Sequence, residues 1–289
     1  MDTNIQKYAA FVKVVDCGSF TKAAESLSYT QSGISRMIGD LEREWKVILL
    51  ERDRNGVRLT PDGERLLPYA RKVCEEYRNL QFQVDELNGL ESGMIRIGTF
   101  SSVATHWLPK MIKEFQKDYP NIEYEILLGD YREIEGWVKD GRVDCGFVPS
   151  PTDKTLDSIF LEKDELLVVL PEGHPMAACE RFPVSALSDY PFMMLEKASS
   201  SDITSIFEKN GIIPNIRFTT WDDYAIMSMV ESGLGIGILP KLILRRAPYR
   251  IVTKSLDVPA YRDICLIMRS EKDLSLATSR FMEYLKYRN

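Results

Sequence analysis

The spacing of apolar residues near the start of the chain predicts helices. One helix is predicted to bury the side chains of Ile34, Ile38, Leu41 and Trp45, because they stand at positions i, i+4, i+7 and i+11. Its opposite face then carries small, polar or cationic residues, namely Ser32, Ser35, Arg36 and Gly39. Two shorter helices are predicted before it, because Gly18 and the polar turn at residues 28–30 interrupt the apolar pattern.

The outward face of this third helix suits the major groove of DNA. Short hydrogen-bonding side chains let a helix approach the base edges closely, and Gln31 and Arg36 carry donors that bases accept. The predicted DNA contacts on this helix are Thr30, Gln31, Ser32, Ser35 and Arg36. Taken alone, the same face is equally typical of a solvated helical hairpin.

A basic hairpin is predicted directly after the helix. Residues 50–52 and 57–59 have the pattern of two short strands around an Asn55-Gly56 turn. Such a hairpin would place Arg52 and Arg54 on the DNA backbone or in the minor groove. The whole chain has a net charge of −6, so DNA contact must depend on where cations lie, not on bulk charge.

A long helix with a seven-residue repeat follows. Thr60 is a suitable cap and Pro61 a suitable first residue. The apolar positions have the 4-3 spacing of a coiled coil: Leu66, Ala70, Val73, Tyr77, Leu80, Val84 and Leu87. Such a seam is covered either by its own domain or by a second chain. The polar stretch at 88–93 favours the second chain, which predicts a homodimer.

The remainder of the chain has the pattern of an α/β domain with a mainly parallel sheet, because short apolar strands alternate with helices from Met94 onward. The order of these signals occurs twice. Serines follow the first strand of each set, and a Pro-Asn-Ile sequence at 120–122 and again at 214–216 begins the next strand. The repetition predicts two lobes around a cleft, as in periplasmic-binding-protein-like folds, with a hinge that closes on a ligand. Lobe I would span about 91–163 and 268–289, and lobe II about 164–267.

Ligands of such sheets bind beyond the carboxyl ends of the strands, where helix N-termini offer free N–H groups. The predicted effector-binding residues are Phe100, Ser101, Ser102, Gly129, Asp130, Phe147, Ser199, Ser200, Ser201 and Trp221. The two serine clusters could hold a carboxylate, sulfate or phosphate, although helix capping explains each serine taken singly. Asp130 could instead pair with a cationic group, so the sign of the effector's charge stays open.

Several other functions find little support in the sequence. Two histidines, His106 and His174, limit general-base chemistry, and the glycines of 233–237 follow a helix and lack dinucleotide-binding spacing. The five cysteines lie far apart, which predicts neither a disulfide nor a metal site. The chain also has no apolar stretch of about 20 residues and no signal peptide. We therefore expect a cytoplasmic protein without a cofactor or enzymatic activity.

Three segments together resemble the LysR-type transcriptional regulators. The segments are residues 18–27 (GSFTKAAESL), 30–42 (TQSGISRMIGDLE), and the pair Leu50-x-Arg52 and Leu59-Thr60-Pro61-x-Gly63. Gly33 departs from the family, which commonly has alanine or another small residue there. The resemblance is dense in motifs and extends over essentially the whole chain.

This resemblance implies a domain organisation and a function. It implies a winged helix-turn-helix at 1–60, a linker and dimerisation helix at 61–90, and an effector-binding domain at 91–289. It further implies binding to double-stranded promoter DNA that a small molecule modulates, and dimers that commonly join as tetramers. Two alternatives are a solute-binding module with an N-terminal assembly domain and an enzyme with an appended DNA-binding domain. The missing signal peptide weighs against the first, and the scarcity of histidine against the second.

Overall fold

The computed structural model describes residues 5–53, 56–87, 92–195, 202–271 and 274–289. The chain divides into two compact units. The N-terminal unit runs to Gly93 and includes Asp140–Arg142, and the C-terminal unit holds Met94–Lys139 and Val143–Asn289. Each unit has an apolar core of its own.

Three helices surround the core of the N-terminal unit. They are α1 (Ile5–Cys17), α2 (Phe20–Ser26) and α3 (Gln31–Trp45). Gly18 follows α1 with a φ of +59°, a conformation in which glycine commonly ends a helix. Helix α3 buries Ile34, Ile38 and Leu41 and half-buries Trp45, which confirms its predicted apolar face.

The predicted hairpin is present as β1 (Leu50–Asp53) and β2 (Gly56–Leu59), which pair antiparallel. Two side chains outside the hairpin fix its position. The Glu42 carboxylate on α3 accepts hydrogen bonds from the backbone N–H groups of Leu49 (2.8 Å) and Leu50 (3.2 Å). The Thr60 hydroxyl donates to the Ile48 carbonyl at 2.5 Å. The hairpin is thereby held against both the helix before it and the helix after it.

Helix α4 (Pro61–Leu87) begins where the sequence predicts and continues through Pro68. Its start is tightly packed, because a Cβ on Gly63 would lie 2.2 Å from the Leu49 carbonyl oxygen. Further along α4, four of the coiled-coil positions are 40–57% exposed: Val73, Tyr77, Leu80 and Val84. The apolar seam of α4 is therefore open to solvent from Val73 to Val84, whereas the first two predicted positions, Leu66 and Ala70, pack into the core of the N-terminal unit.

The C-terminal part contains, within the described residues, one sheet of nine strands. The strands are β3 (Ser92–Thr99), β4 (Asn121–Leu128), β5 (Cys145–Pro149), β6 (Asp157–Pro171), β7 (Pro191–Leu195), β8 (Asn215–Thr220), β9 (Ile236–Pro240), β10 (Ile251–Ser255) and β11 (Tyr261–Met268). The helices are α5 (Ser101–His106), α6 (Leu108–Asp118), α7 (Tyr131–Lys139), α8 (Asp202–Asn210), α9 (Asp223–Glu231), α10 (Lys241–Leu244) and α11 (Leu276–Met282). Short 3-10 helices occur at Pro175–Ala178, Val184–Ser188 and Glu283–Tyr287.

The strand order is β4-β3-β5-β11-β6-β9-β7-β8, with β10 paired to β6. Strand β3 is parallel to β5 in one half, and β7 is parallel to β8 and β9 in the other. The expectation of a mainly parallel sheet is wrong for the middle, where β6 and β11 pair antiparallel with each other and with their neighbours. The reason is that these two strands cross between the halves in opposite directions.

The crossing strands tie the two halves of the sheet together. Strand β6 pairs with β11 over Asp157–Glu165 and then with β9 from Leu166 onward. After β11 the chain stays in the first half, where the Phe281 ring of α11 packs 5.3 Å from the Phe115 ring of α6. The last helix thus returns to the first half, as the sequence predicts.

Candidate functional site

The polar face of α3 is open to solvent. Gln31, Ser32 and Arg36 are exposed, and Ser35 is half-buried. The Arg36 guanidinium has no hydrogen bond or ion pair within the described residues. Its five N–H donors therefore remain available to a partner.

Thr30 has a structural role at the start of the same helix. Its hydroxyl oxygen accepts a hydrogen bond from the Gly33 backbone N–H at 3.1 Å and so caps α3. A second hydrogen bond of 3.1 Å joins the hydroxyls of Thr30 and Ser32. These two residues are therefore partly committed to the helix end, whereas Gln31 and Arg36 lie on the face beside it.

The hairpin next to α3 carries the other two predicted DNA contacts. Arg52 lies on β1 opposite Val57, but its side chain, like the whole of Arg54, lies outside the described residues. Gly56 has a φ of +128° at the end of the turn, a conformation that favours glycine. The hairpin prediction is confirmed for the backbone, and the role of both arginines stays a prediction.

A second polar site lies in the C-terminal unit, where the two crossing strands pair. Asp164 of β6 and Arg262 of β11 are direct partners in the antiparallel ladder, and both side chains are 4% exposed. The Arg262 Nε and Nη2 atoms donate to one Asp164 oxygen at 3.0 and 2.7 Å. The other Asp164 oxygen accepts from the Leu242 backbone N–H at 2.9 Å. The carboxylate is thus satisfied on both sides, as a buried charge requires.

Arg262 also reaches two helix starts in the first half of the sheet. Its Nη2 donates to the Ser102 hydroxyl at 2.8 Å, and its Nη1 donates to the Tyr131 hydroxyl at 3.2 Å. The guanidinium carbon lies 4.8 Å from the centre of the Phe100 ring, within the range of a cation–π contact. Burial by itself would lower the pKa of Arg262, but Tyr131 and Asp164 outweigh it and raise that pKa, so the guanidinium stays charged.

Two further carboxylates lie near this group. Burial raises the pKa of Asp202, at the start of α8, although the charge of Arg262 opposes the rise. Asp223, at the start of α9, is 3% exposed. The pKa of Tyr131 is raised, chiefly by burial, with Asp202 and Asp223 adding to the rise. The starts of α5 and α7 therefore meet at Arg262 through hydrogen bonds, and the carboxylates at the starts of α8 and α9 act on the same group electrostatically.

The predicted effector-binding residues lie in different environments in the structure. Phe100 and Ser102 belong to the Arg262 group, Ser101 is half-buried beside them, and Trp221 is 59% exposed at the end of β8. The serines at 199–201 lie outside the described residues.

Three other predicted residues have structural roles. Phe147 is completely buried in the core, where its ring lies 6.3 Å from that of Trp107. Gly129 makes room for Trp137, since a Cβ there would lie 2.4 Å from that ring. Asp130 accepts from the Glu133 backbone N–H at 2.8 Å and caps α7. Phe147 is therefore closed to a ligand by core packing, whereas packing and capping account for Gly129 and Asp130 and their role as effector contacts stays a prediction.

Sequence reasoning missed Arg262, Asp164, Tyr131 and Asp202. Arg262 had a usable signal, because it is a cation in a strand whose later residues, Ile264–Met268, are apolar and buried. A buried arginine needs a buried carboxylate. Its partner Asp164 lies 98 residues away in the chain, and no local pattern reveals that pairing.

Metal binding and membrane insertion find no support in the described ranges. No cluster of three or more His, Cys, Asp or Glu side chains there could hold a metal ion. No described helix is both long and apolar enough to cross a membrane.

Comparisons with known proteins agree with this architecture. Residues 5–64 match the family profile "Bacterial regulatory helix-turn-helix protein, lysR family". Residues 88–289 match the profile "LysR substrate binding domain". Together the two profiles account for nearly the whole chain.

Individual relatives extend over the same length. The uncharacterized HTH-type transcriptional regulator YvbU of Bacillus subtilis is 34% identical to this chain, over 98% of this chain and 97% of the relative. The probable HTH-type transcriptional regulator LrrA of Synechococcus elongatus is 32% identical, over 90% of this chain and 89% of its own length.

Two solved structures share the fold at lower identity. A full-length variant of OxyR from Pseudomonas aeruginosa has a TM-score of 0.76 at 21% identity, covering 100% of this chain and 95% of that one. Full-length CbnR in complex with its target DNA has a TM-score of 0.68 at 20% identity, covering 99% of this chain and 100% of that one.

Proposed function

This chain belongs to the LysR family of bacterial transcriptional regulators, and from that premise we propose how it does its work. Helix α3 enters the major groove of promoter DNA, a second copy of the chain pairs along α4, and a small effector binds between the two halves of the C-terminal unit. Effector binding changes the affinity for the promoter or the bend of the DNA. Because its target is bacterial DNA, we place its action in the cytoplasm.

The observation that carries the DNA-binding proposal is the exposed polar face of α3. Arg36 is exposed and has no partner in the described chain, and Gln31, Ser32 and Ser35 lie beside it. Glu42 and Thr60 hold the β1-β2 hairpin at the end of the same helix. This arrangement is that of a winged helix-turn-helix, with α3 reading bases and the hairpin, including Arg52 and Arg54, on the phosphate backbone or in the minor groove.

The open seam of α4 supports the homodimer. Val73, Tyr77, Leu80 and Val84 keep the 4-3 spacing of a coiled coil and are exposed in the single chain. A second α4 helix would cover them. Two DNA-binding units then read two half-sites, and the two-fold symmetry of the protein predicts a palindromic target. Association of dimers into a tetramer is common in the resembling family and stays a prediction for this chain.

The Arg262 group supports an effector site between the halves of the sheet. We place the effector beside Ser101, Ser102, Tyr131, Asp202 and Trp221, with Phe100 and Arg262 behind them. In this proposal residues 1–60 bind DNA, 61–90 form the linker helix, and 91–289 bind the effector. The sheet pairing favours assigning β11 to lobe I, because it pairs with β5. Closure of the lobes would couple to DNA binding by about 1–3 kcal/mol, a typical allosteric coupling.

Selection of binding sites from a random DNA library tests the DNA-binding proposal, because the library contains every short site and the promoter sequence is not required. Wild-type full-length protein is expected to enrich a site with two symmetric half-sites. At fixed salt, Arg36→Ala is expected to weaken binding to that site by about 1–3 kcal/mol, roughly 5- to 150-fold, and to relax the preference at one base pair in each half-site.

A matched variant controls for the loss of a positive charge. Arg250→Ala removes a cation whose side chain is 83% exposed in the C-terminal unit, and we expect its DNA affinity to equal that of wild type. Unchanged affinity and base preference in Arg36→Ala would rule out the proposed placement of α3. Enrichment of single, asymmetric sites would contradict the dimer.

A further inference from the structure

The turn between α2 and α3 exposes one large aromatic side chain. Residues 28–32 are all exposed and form a continuous strip from this turn onto the polar face of α3. Within the strip, Tyr29 is 40% exposed. Its hydroxyl has no hydrogen bond, and its ring has no aromatic or cation–π contact, within the part of the chain that the structure describes. Tyr29 therefore lies outside the packed core of the N-terminal unit.

The backbone at Tyr29 is held on both sides. Helix α2 ends with hydrogen bonds from the Ser28 N–H to the Glu25 carbonyl (3.3 Å) and from the Tyr29 N–H to the Ala24 carbonyl (2.9 Å), which is the Schellman pattern. Ser28 has a φ of +57°, a conformation that a residue other than glycine keeps only where its surroundings hold it. Directly afterwards, Thr30 caps α3. The position of the Tyr29 backbone relative to α3 is therefore fixed, and only its side chain is free to rotate.

The residue at this place in a helix-turn-helix lies beside the DNA backbone. The N-terminal residues of the second helix of the motif reach base edges, and in the proposed function these are Gln31 and Ser32. The chain that leads into them passes the rim of the major groove, which phosphates line. Tyrosine is one of the side chains that donate hydrogen bonds to phosphate oxygens. A long, exposed side chain with an unused hydroxyl at this rim is suited to that contact.

We propose that the Tyr29 hydroxyl donates a hydrogen bond to a phosphate oxygen at the rim of the major groove and thereby positions α3 in the groove. This inference rests on the proposed function, which places α3 there. Because the backbone of Tyr29 is already fixed, the contact orders only one side chain on binding. A neutral hydroxyl replaces no counterion, so its contribution to affinity does not fall with salt as that of a cation does. A phosphate carries no base identity, so the contribution is the same for every sequence.

The first test is Tyr29→Phe in the full-length protein, which keeps the ring and removes the hydroxyl. On the DNA site selected with wild-type protein, we expect at least about tenfold weaker binding, because each half-site loses a hydrogen bond to a charged acceptor. We expect the same factor on sites with single base-pair changes. The slope of log affinity against log salt concentration should equal that of wild type, because no cation is removed.

Two controls accompany this variant. Tyr261→Phe removes a hydroxyl of similar exposure, 46%, in the C-terminal unit and should bind DNA like wild type. The melting temperature of Tyr29→Phe should also equal that of wild type, because the hydroxyl has no partner in the described chain. A loss of DNA affinity then reports on the contact with DNA and not on folding.

The second test identifies the phosphate. Neutral methylphosphonates replace the phosphates of the selected site one at a time, and each modified site is titrated with wild-type protein and with Tyr29→Phe. At one phosphate in each half-site, the replacement should weaken wild-type binding by a larger factor than it weakens the variant, because the variant has already lost that hydrogen bond. At the other phosphates the two proteins should lose affinity by equal factors. Such non-additivity is the signature of a direct contact.

Three results would overturn the inference. The first is Tyr29→Phe binding as tightly as wild type while Arg36→Ala binds weakly, which would leave the proposed DNA binding in place and assign Tyr29 to another partner. The second is a loss of affinity that depends on the base sequence, which would mean a contact with a base. The third is equal factors for the two proteins at every phosphate. If Arg36→Ala also binds like wild type, the proposed placement of α3 fails together with the inference.

Discussion

The polar face of α3 and the polar group around Arg262 use similar side chains but hold them in opposite ways. On α3, Arg36 is exposed and has no partner in the described chain. In the C-terminal unit, Arg262 is 4% exposed and donates four hydrogen bonds, to Asp164, Ser102 and Tyr131. We expect the Arg36 side chain to become ordered only on binding DNA, whereas folding already orders the Arg262 side chain.

This difference matches the two kinds of binding. DNA presents a large, charged surface, and a hydrated arginine exchanges water and counterions for phosphates or bases at little cost to folding. A small effector offers few contacts, so its site must be ordered in advance if binding is not to lose affinity to the ordering of side chains. The comparison predicts that mutation of Arg262 lowers the free energy of unfolding, whereas mutation of Arg36 lowers DNA affinity and leaves the free energy of unfolding nearly unchanged.

The largest expected effect comes from Arg262→Met. It leaves the Asp164 carboxylate buried without its cation, which typically costs about 3–5 kcal/mol. Urea unfolding followed by tryptophan fluorescence reports chiefly on this unit, because Trp107, Trp137 and Trp221 lie in it and only Trp45 lies in the N-terminal unit. The double variant Arg262→Met/Asp164→Asn should recover much of the loss, since the asparagine is neutral and still accepts from Leu242.

A matched arginine defines the baseline for that measurement. Arg250→Met removes an exposed partner of Glu231 and should change stability by less than about 1 kcal/mol. If Arg262→Met were no more destabilising than Arg250→Met, the Arg262 group would not be the fixed element that the comparison requires.

An intermediate effect on stability is expected for Thr30→Ala, because Thr30 is both a proposed DNA contact and a residue that supports the fold. Its hydroxyl caps α3 through the Gly33 N–H, and loss of such a cap costs about 1 kcal/mol. Amide hydrogen exchange of residues 31–45 should be faster in this variant. Thr30→Ser retains the hydroxyl and should exchange like wild type. If the amides of residues 31–45 exchange at the same rate in Thr30→Ala as in wild type, the cap contributes nothing to the stability of the helix.

The smallest effect on stability is expected for Arg36→Ala. An exposed side chain without partners should contribute within about 0.5 kcal/mol, so hydrogen exchange of residues 31–45 should not change. The same variant is expected to lose DNA affinity, which separates function from stability at this position. Faster exchange would show that Arg36 supports the helix, and the contrast with Arg262 would then fail.

The structure of the N-terminal unit was easier to predict from the sequence than the polar site of the C-terminal unit. The apolar face of α3 follows from residues three and four apart, and the hairpin follows from an Asn-Gly turn between short strands. These signals are local, and the structure confirms both. The cleft residues were predicted from their positions after strands, which does not distinguish a ligand contact from a cap such as Asp130 or a core ring such as Phe147.

The sequence by itself determined the helices of the DNA-binding unit, the hairpin beside them, the repeated strand and helix order of the larger unit, and the family. Each of these depends on periodicity or on turn and cap residues within a few positions of one another. Only the tertiary structure decided that Arg262 pairs with Asp164 and fixes the hydroxyls of Ser102 and Tyr131. These contacts join residues 98 to 160 positions apart. A buried charge is stable only where such distant partners converge, and that convergence is a property of the folded chain.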